Sequence, residues 1–360
     1  MSSTLWSPET AHAWADKQPW LLGSNFIPSS AINQLEMFQP DDYDRHRPIL
    51  ERELEWSAEV GMNTHRIFLH DIAWKTDQKG FLSRLDDFLD LCESRTIRPL
   101  LVFFDACHRP YPVPGQQPAP RPGIHNSGWA QSPAADVLCD RGCWKELERY
   151  VLDVLGRYGQ DERVLAWDLY NEPCNCSFDT GDPPSKAACS AELTGLVFEW
   201  ARSASPQQPV TVGIWQYETD PLLEHDEQAL ASADLALLNA QRIALKNSDI
   251  LSFHHYGTAE TLSAKVDQLL ELGRPLWCTE YMARTRGSLF QTCLPLLHKK
   301  KVAAYNWGFV SGKSNTIFPW GSPEGADEPE PWFHDVLHAN GMPYDQEETQ
   351  LIRSLSGAIA

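Results

Sequence analysis

Short apolar segments alternate with amphipathic segments along most of this chain, from about residue 20 to about residue 340. The apolar segments are rich in β-branched and aromatic residues and are bounded by polar ones, which is typical of buried parallel strands. Eight such strands are predicted, at residues 21–27, 64–70, 98–104, 164–170, 210–215, 250–255, 275–279 and 302–307.

The segments between the predicted strands have the spacing of half-buried helices. Phe81, Leu85 and Phe88 recur every three or four residues, and residues 144–158 show the same period. Gly61 follows another such segment, at a position where glycine commonly ends a helix. A strand and a helix repeated eight times predict a single (β/α)₈ barrel, also called a TIM barrel.

An open, doubly wound sheet is the alternative architecture, because it shows the same alternation. It usually has a glycine-rich turn after its first strand. The corresponding turn here, residues 25–30, contains no glycine. We therefore predict one catalytic domain over residues 1–360, with the barrel at about 20–340, and we find no repeat or linker that would divide it.

Predicted strands three and four are separated by an unusually long segment. It has seven prolines between Pro110 and Pro133, which favours an ordered loop. Such a loop leaves the carboxyl end of a strand, the face of a barrel on which active sites form. We expect residues 107–143 to be a wall of the site, with Trp129 reaching the ligand; an inert surface insertion is the alternative.

The charge balance excludes some partners. The chain has 49 acidic and 30 basic residues and a net charge of −19 at pH 7, a field that repels nucleic acid and anionic membranes. No apolar run approaches the ~18 residues of a membrane-spanning helix. We therefore predict no nucleic-acid partner and no membrane association, and the pattern leaves the oligomeric state open.

The amino-terminal residues carry no sign of a signal peptide. Residues 1–20 lack a basic start followed by an apolar run. The nine cysteines are an odd number, and several lie in apolar segments that favour buried, reduced thiols. We expect a cytoplasmic protein; a secreted or periplasmic one, from which a signal peptide was removed, is the alternative. Whether Cys174 and Cys176 pair is left open.

Two predicted strands end close to a glutamate. Residues 164–173 read VLAWDLYNEP, with Asn171 and Glu172 at the strand's end, and residues 275–281 read PLWCTEY, with Glu280 near the end. Because barrel strands end on one face, the two carboxyl groups can converge over its mouth. Glycosidic bond cleavage needs such a pair, one to protonate the leaving oxygen and one to attack or to activate water. A strand-end glutamate also commonly caps a helix or pairs with a cation.

Further strand ends carry polar or aromatic side chains. Arg66 lies in the second-strand sequence NTHRI, His254 and Tyr256 lie in the sixth-strand sequence FHHY, and Trp307 ends the eighth strand. Adjacent strand residues point to opposite faces, so His254 and His255 are poorly placed to share a metal ion.

Taken in order, these motifs resemble those of clan A glycoside hydrolases, and most closely the family 5 cellulase and mannanase group, over about residues 20–320. The resemblance implies that Glu172 is the acid/base, that Glu280 is the nucleophile and that Asn171 donates to the sugar 2-hydroxyl. It also implies substrate-site roles for Arg66, His254, Tyr256 and Trp307. At the third strand the chain departs from the family, which commonly has histidine there, by reading Asp105-Ala106-Cys107-His108.

Physical reasoning agrees with these roles. Arg66 beside Glu280 would keep that carboxylate ionised, and a drier setting would raise the pKa of Glu172. Tyr256 could hydrogen-bond to Glu280. Trp129, Trp215, Trp307 and Trp320 are candidates for stacking on sugar rings. A structural ion pair for the arginine, and packing in the core or at the barrel rim for the aromatic side chains, are the alternatives.

The sequence therefore predicts a retaining β-glycoside hydrolase that acts on β-linked oligosaccharides or polysaccharides by double displacement with Glu172 and Glu280. No cofactor or metal is expected. One alternative is a non-catalytic carbohydrate-binding barrel. Another is a metal-dependent sugar isomerase-type barrel, for which Asp105 is a possible ligand. The sugar, its linkage and the choice between endo and exo cleavage are left open.

Overall fold

The computed structural model describes residues 4–176, 181–216 and 220–357. Every predicted strand is present. Their bounds are β1 (Leu22–Asn25), β2 (Thr64–Phe68), β3 (Arg98–Asp105), β4 (Ala166–Asn171), β5 (Val210–Thr211), β6 (Leu251–His254), β7 (Leu276–Tyr281) and β8 (Ala303–Trp307).

Helices lie between the strands in the described parts of the chain. Their bounds are α1 (Pro8–Ala15), α2 (Gln34–Phe38), α3 (Pro40–Glu59), α4 (Asp71–Thr76), α5 (Gln78–Glu93), α6 (Ala135–Cys139), α7 (Trp144–Tyr158), α8 (Lys186–Ala204), α9 (Ser232–Asn247), α10 (Ala259–Leu270), α11 (Phe290–Lys299) and α12 (Gln346–Ser356). Within the described ranges, none of them has the length and apolar character needed to cross a membrane.

The strands pair in the order β5-β4-β3-β2-β1-β8-β7-β6, and every pair is parallel. Ile214, just beyond β5, bridges the gap to β6. Its N–H donates to the carbonyl of Ser252 at 3.0 Å, and its carbonyl accepts from the N–H of His254 at 2.9 Å. An open sheet would leave these two edges apart, so the predicted (β/α)₈ barrel is confirmed and the doubly wound alternative is wrong.

The end of α3 illustrates how local sequence sets an element's bounds. Pro40 opens the helix at a position where its missing N–H has no cost. Val60 is the capping residue, and Gly61 follows with φ +88°, a conformation that glycine adopts without a clash of Cβ. The predicted helix end is thus confirmed, and the chain is turned directly toward β2.

Apolar side chains fill the amino end of the barrel. Leu100, Leu165, Trp277 and Tyr305 are buried there in one cluster. Trp14 of α1 closes this end, with its ring centroid 6.1 Å from that of Trp277. A larger apolar cluster lies between the strands and the outer helices. The polar groups are left to the opposite, carboxyl end, where parallel-barrel active sites form.

The long segment after β3 is ordered, as its prolines predict. It has no helix or strand over residues 106–134, apart from isolated bridges, but α6 and the 3-10 turn Arg141–Cys143 occupy its last part. The sequence pattern therefore missed a short helix, because a single turn of apolar residues has no period to detect.

Hydrogen bonds fix the long segment against neighbouring loops. The backbone N–H of Asn126 donates to the carbonyl of Ser314 at 2.9 Å. The side-chain amide of Asn33 donates to the carbonyl of Gly128 at 2.8 Å. These bonds hold the segment beside the loops that follow β1 and β8, on the carboxyl face of the barrel.

Stability should fall as pH rises because of Asp335. This carboxyl group is completely buried and accepts from the hydroxyl of Thr316 at 2.8 and 2.9 Å. Burial raises the pKa of Asp335 to about 7, so the folded protein binds this proton more tightly than the unfolded chain does. The stability gained is therefore complete at acidic pH and is lost as pH rises from about 4 to about 7.

Asp335→Asn should flatten this dependence by about 2–4 kcal/mol, since one pKa unit corresponds to about 1.4 kcal/mol. Denaturant unfolding of the wild type and the variant at several pH values measures the effect. Asp327→Asn, at an exposed position in the same segment, is the matched control. An unchanged slope for Asp335→Asn would contradict the burial argument.

Candidate active site

The barrel brings two carboxyl groups and an imidazole together. One carboxylate oxygen from each of Glu172 and Glu280 and one ring nitrogen of His254 lie within 4.8 Å of one another. Glu172 follows β4, while the other two residues lie in β7 and β6. A water molecule positioned between two carboxyl groups needs a separation of roughly 6.5–9.5 Å, whereas direct attack by one of them needs about 5–5.5 Å. The close approach favours direct attack.

A bulge in β7 turns Glu280 into the barrel. Phe253 pairs with Cys278, but the next residue of β6, His254, pairs with Glu280, so one residue of β7 is skipped. Before the bulge, Trp277 faces the barrel interior. After it, Tyr281 packs outward on Phe290 of α11, at a centroid distance of 5.9 Å. Regular alternation would place residues 277 and 281 on one face.

The backbone of Glu172 is strained. Its φ is +45°, a left-handed conformation that is rare for non-glycine residues and that the surroundings must hold in place. Its carboxylate accepts from the side-chain amide of Asn175 at 2.7 Å and lies 2.7 Å from Nδ1 of His254. The thiol of Cys107 donates to it at 3.3 Å. These partners come from three different loops or strands.

Arg66 connects the strands beneath this pair. Its guanidinium donates to Asp168 at 2.8 and 2.9 Å and to Glu280 at 2.8 Å. It also donates to the side-chain oxygens of Asn25 and Asn171, at 2.9 and 2.7 Å. A buried guanidinium is tolerated only when it is paired in this way.

Arg66 is buried beneath the cavity described below. The side chain is 0% exposed and does not line the cavity described below. The guanidinium is surrounded by protein oxygen atoms and by the ring of Phe68, 4.9 Å from the centroid, and a role for Arg66 in binding substrate stays a prediction. Arg66 is a positioning residue for Glu280.

A second chain of hydrogen bonds runs from Asn171 to the long loop. The amide of Asn171 donates to Asp105 of β3 at 2.9 Å, and the indole of Trp129 donates to the other carboxylate oxygen of Asp105. Asp105 thus orients both the asparagine and the tryptophan. The second amide N–H of Asn171 lies 3.5 Å from the sulfur of Cys107, at the cavity surface.

Burial raises the pKa of both glutamates. For Glu172, burial is the largest cause of the raised pKa. For Glu280, burial and the neighbouring charge of Glu172 together raise the pKa to about 7. His254 and Arg66 oppose the effect at Glu280 but do not overcome it. Arg66 therefore contacts this carboxylate as expected without keeping its pKa at an ordinary value. With the pKa of Glu280 at about 7, the pair keeps a proton close to neutral pH.

The residues around the pair leave Glu172 as the better site for that proton. Glu280 accepts charge-assisted hydrogen bonds from Arg66 and a bond from the hydroxyl of Tyr256 at 2.7 Å, which favour its ionised form. Glu172 has amide, thiol and imidazole neighbours. Burial lowers the pKa of His254 to about 4, so its imidazole is neutral near pH 7, where Glu280 titrates.

A cavity of about 1360 Å³ opens above the two glutamates. Residues of the predicted wall, 107–143, supply part of its lining. The lining residues from this wall are Cys107, His108, His125, Asn126 and Trp129. Among the described residues that line the cavity, the carboxylates are those of Glu172 and Glu280.

The four candidate tryptophans all line the cavity, but to different extents. Trp129 and Trp307 are 3% and 8% exposed and pack on one another, with centroids 5.5 Å apart. Little of either ring is exposed to the cavity. Trp215 is half-buried, and its indole donates to the carbonyl of Pro173 at 3.1 Å. Trp320 is 39% exposed, so its ring offers the largest free aromatic surface.

No family model matches the chain. The probable mannan endo-1,4-β-mannosidase C of Aspergillus terreus is 31% identical over 114 residues, which are 31% of this chain and 28% of that protein. The match therefore spans less than a third of the curated relative. A match of this length carries local sequence similarity and not the activity of the whole protein.

Solved structures match over nearly the whole chain. The endo-β-1,4-mannanase of Thermotoga petrophila has a TM-score of 0.59 and 13% identity, covering 96% of this chain and 77% of that one. A GH5_18 protein of Streptomyces cattleya, in complex with GlcNAc, has a TM-score of 0.62 and 12% identity, covering 95% and 82%. This chain has the fold of these glycoside hydrolases. The resemblance indicated by the sequence motifs is confirmed at that level.

Several site residues were not predicted. Asp168, Asn175 and Asn25 contact predicted residues directly. Cys107 was noted without a role, and Asp105 only as a possible metal ligand of the isomerase alternative. Asp168 was detectable in principle, because a carboxylate inside an apolar strand must find a cation. The sequence has no comparable signal for Asn175, since it follows the strand and depends on the turn made by Glu172.

Replacing Arg66 tests its role as the buried connection. Arg66→Met should destabilise the fold by about 3–5 kcal/mol, because Asp168 and Glu280 would remain buried without a counter-charge. Thermal or denaturant unfolding measures this. Adding Asp168→Asn to the variant should recover part of the loss. A single variant that is as stable as the wild type, or a double variant with no recovery, would contradict the assignment.

Proposed function

We propose that this chain is a retaining β-glycoside hydrolase that acts on β-linked oligosaccharides or polysaccharides. One observation carries the proposal: two carboxyl groups in unequal surroundings lie within 4.8 Å at the base of a large cavity on the carboxyl face of the barrel. The fold shared with mannanases supports it. One domain over residues 1–360 and a cytoplasmic location stay predictions.

The first step uses both glutamates. The carboxylate of Glu280 attacks the anomeric carbon while the carboxyl proton of Glu172 passes to the departing glycosidic oxygen. The aglycone leaves as an alcohol, and the sugar is bound to Glu280 as an ester. Arg66 and Tyr256 hold the nucleophilic carboxylate in place through the two oxygens that they contact.

The second step reverses the roles. Glu172, now ionised, takes a proton from a water molecule whose oxygen attacks the anomeric carbon. The ester bond to Glu280 breaks, and the sugar is released with its original configuration. His254 and Asn175 lie within hydrogen-bond distance of Glu172, where they can orient this carboxyl group as it acts first as acid and then as base.

We infer that the substrate contains a β-1,4-linked hexose, mannose being the first candidate. The support is that the local relative and several structural neighbours are called mannanases. Asn171 would donate to the sugar 2-hydroxyl, as the family resemblance implies. Trp307, Trp129 and Trp215 would border the sugar rings at the cavity wall.

A metal-dependent isomerase is the main alternative from another class, because Glu172, His254 and Glu280 could in principle surround a cation. The donor set argues against it. A guanidinium already lies 2.8 Å from Glu280, and a cation placed beside it would be repelled. We expect dialysis against a chelator to leave turnover of an aryl β-glycoside unchanged. Loss of activity that a divalent metal restores would favour the isomerase alternative.

Azide rescue distinguishes the two glutamates. Glu280→Gly should abolish turnover of an aryl β-mannoside or β-glucoside with a good leaving group, and added azide should yield the glycosyl azide of inverted configuration. Glu172→Gly should retain the first step with such a substrate, and azide should yield the azide of retained configuration. Product anomers can be read by NMR.

The two variants control for each other, because they remove the same side chain from opposite sides of the reacting carbon. The same anomer from both would contradict the assigned roles. Wild-type protein that turns over none of the aryl β-glycosides, while it still binds β-linked disaccharides, would favour the non-catalytic carbohydrate-binding alternative.

A further inference from the structure

Arg286 is a positive charge at the edge of the cavity, with no carboxylate partner among the residues that the structure describes. It lies in the 3-10 turn Arg284–Arg286, which follows the strand carrying Glu280, and it lines the cavity. Its guanidinium lies over the ring of Trp320, 5.4 Å from the centroid. Among the described residues, no carboxylate lies within 4.0 Å of it and no hydrogen bond to its side chain is found.

The lining has one more cationic side chain among its described residues, and this one is paired with a carboxylate. Lys265 of α10 is buried, and its Nζ donates to Asp220 at 2.6 Å. Arg286 is therefore the uncompensated cation among the described lining residues. The chain as a whole has a net charge of −19. A cationic side chain on the cavity wall with no carboxylate nearby among the described residues would therefore favour an anionic ligand over a neutral one at that position.

The turn holds the backbone of Arg286 in place. Arg284, two residues earlier, is buried and donates to Glu348 and to the carbonyls of residues 332, 334 and 335. Gly287 ends the turn with φ +76°. The aromatic ring of Trp320 holds the guanidinium by a cation–π contact. Its planar set of N–H donors is thus pre-arranged for an oxygen ligand.

Ring contacts connect this cation to the nucleophile. The hydroxyl of Tyr256 donates to Glu280 at 2.7 Å, and the ring of Tyr256 meets Trp320 edge to face with centroids 4.9 Å apart. Arg286 covers Trp320 in turn. The guanidinium is therefore separated from the reacting centre by two aromatic rings, a position suited to a substituent of the substrate and not to the bond that is cleaved.

We propose that Arg286, held over Trp320 at the cavity rim, binds an anionic substituent of the sugar chain, either a carboxylate or a sulfate or phosphate ester. The inference deepens the proposed function, on which it rests, by naming acidic β-linked saccharides as the substrate class. Planar guanidinium groups recognise these oxygen anions with paired hydrogen bonds.

Binding to matched disaccharides tests the proposal without turnover. The probes are cellobiose and β-1,4-mannobiose, each neutral or carrying a carboxylate, sulfate or phosphate at position 6 of either ring. The protein is Glu172→Gln, titrated by calorimetry at low ionic strength. We expect at least one anionic form to bind about tenfold more tightly than its neutral parent, consistent with about 1.4 kcal/mol for each factor of ten.

Arg286→Gln in the same background should reduce that ratio to near one. Arg157→Gln is the matched control, because it removes the same charge from the exposed surface of α7 and should leave the ratio unchanged. The probe that binds most tightly shows whether the preferred ligand is a uronic acid or a sulfate or phosphate ester. Equal binding of acidic and neutral probes, binding of no anionic probe, or an equal loss for both in Arg286→Gln would overturn the proposal.

Turnover of aryl β-glycosides, both neutral and carrying the same anionic groups at position 6, is measured separately on the wild type. Absence of turnover with an intact preference for anionic probes would refute the hydrolase and leave the anion site standing. Turnover of neutral substrates without any anionic preference would do the opposite. The two failures are therefore distinguishable.

Discussion

The buried guanidinium of Arg66 is the interaction on which the site depends. A charge removed from water in this way is stable only when carboxylates and other oxygens surround it. Here they come from β1, β4 and β7: Asn25, Asp168 with Asn171, and Glu280. One side chain thereby sets the relative positions of three strand ends. The geometry of the two glutamates follows, because one is held by the guanidinium and the other continues directly from Asn171.

The unequal surroundings of the two glutamates explain how similar side chains can act differently. Burial raises the pKa of both, so the pair retains a proton where isolated glutamates would have lost theirs. The cationic and hydroxyl neighbours of Glu280 then favour proton residence on Glu172. The reaction needs one protonated carboxyl group as the acid and one ionised carboxylate as the nucleophile, and a pair that holds a single proton provides both. Removing the two carboxyl groups from water lowers the stability of the folded state.

Negative and positive side chains lie in different parts of the cavity, and the barrel fold alone does not explain this arrangement. The base of the cavity carries the two glutamates, whereas Arg286 on its rim has no acidic neighbour within the described residues. The structural neighbours share 12–16% identity with this chain, which preserves the strand framework and leaves the loops free to differ. Cys107 beside Glu172, and Arg286 over Trp320, both lie outside the motifs that carried the resemblance.

Eight strands, three of the helices and the meeting of two strand-end glutamates could be predicted from the sequence, because each depends on local sequence pattern and on the rule that parallel strands end on one face. The bulge that turns Glu280 inward could not, since it arises from pairing of β7 with β6 and β8 at once. Three further features likewise depend on residues far apart in the chain. They are the left-handed backbone of Glu172, the hydrogen bonds through Asp105 and the position of the Arg286 guanidinium over Trp320. Periodicity records which face a residue occupies within its own element, while partners, strain and pKa are set by what the other elements place beside it.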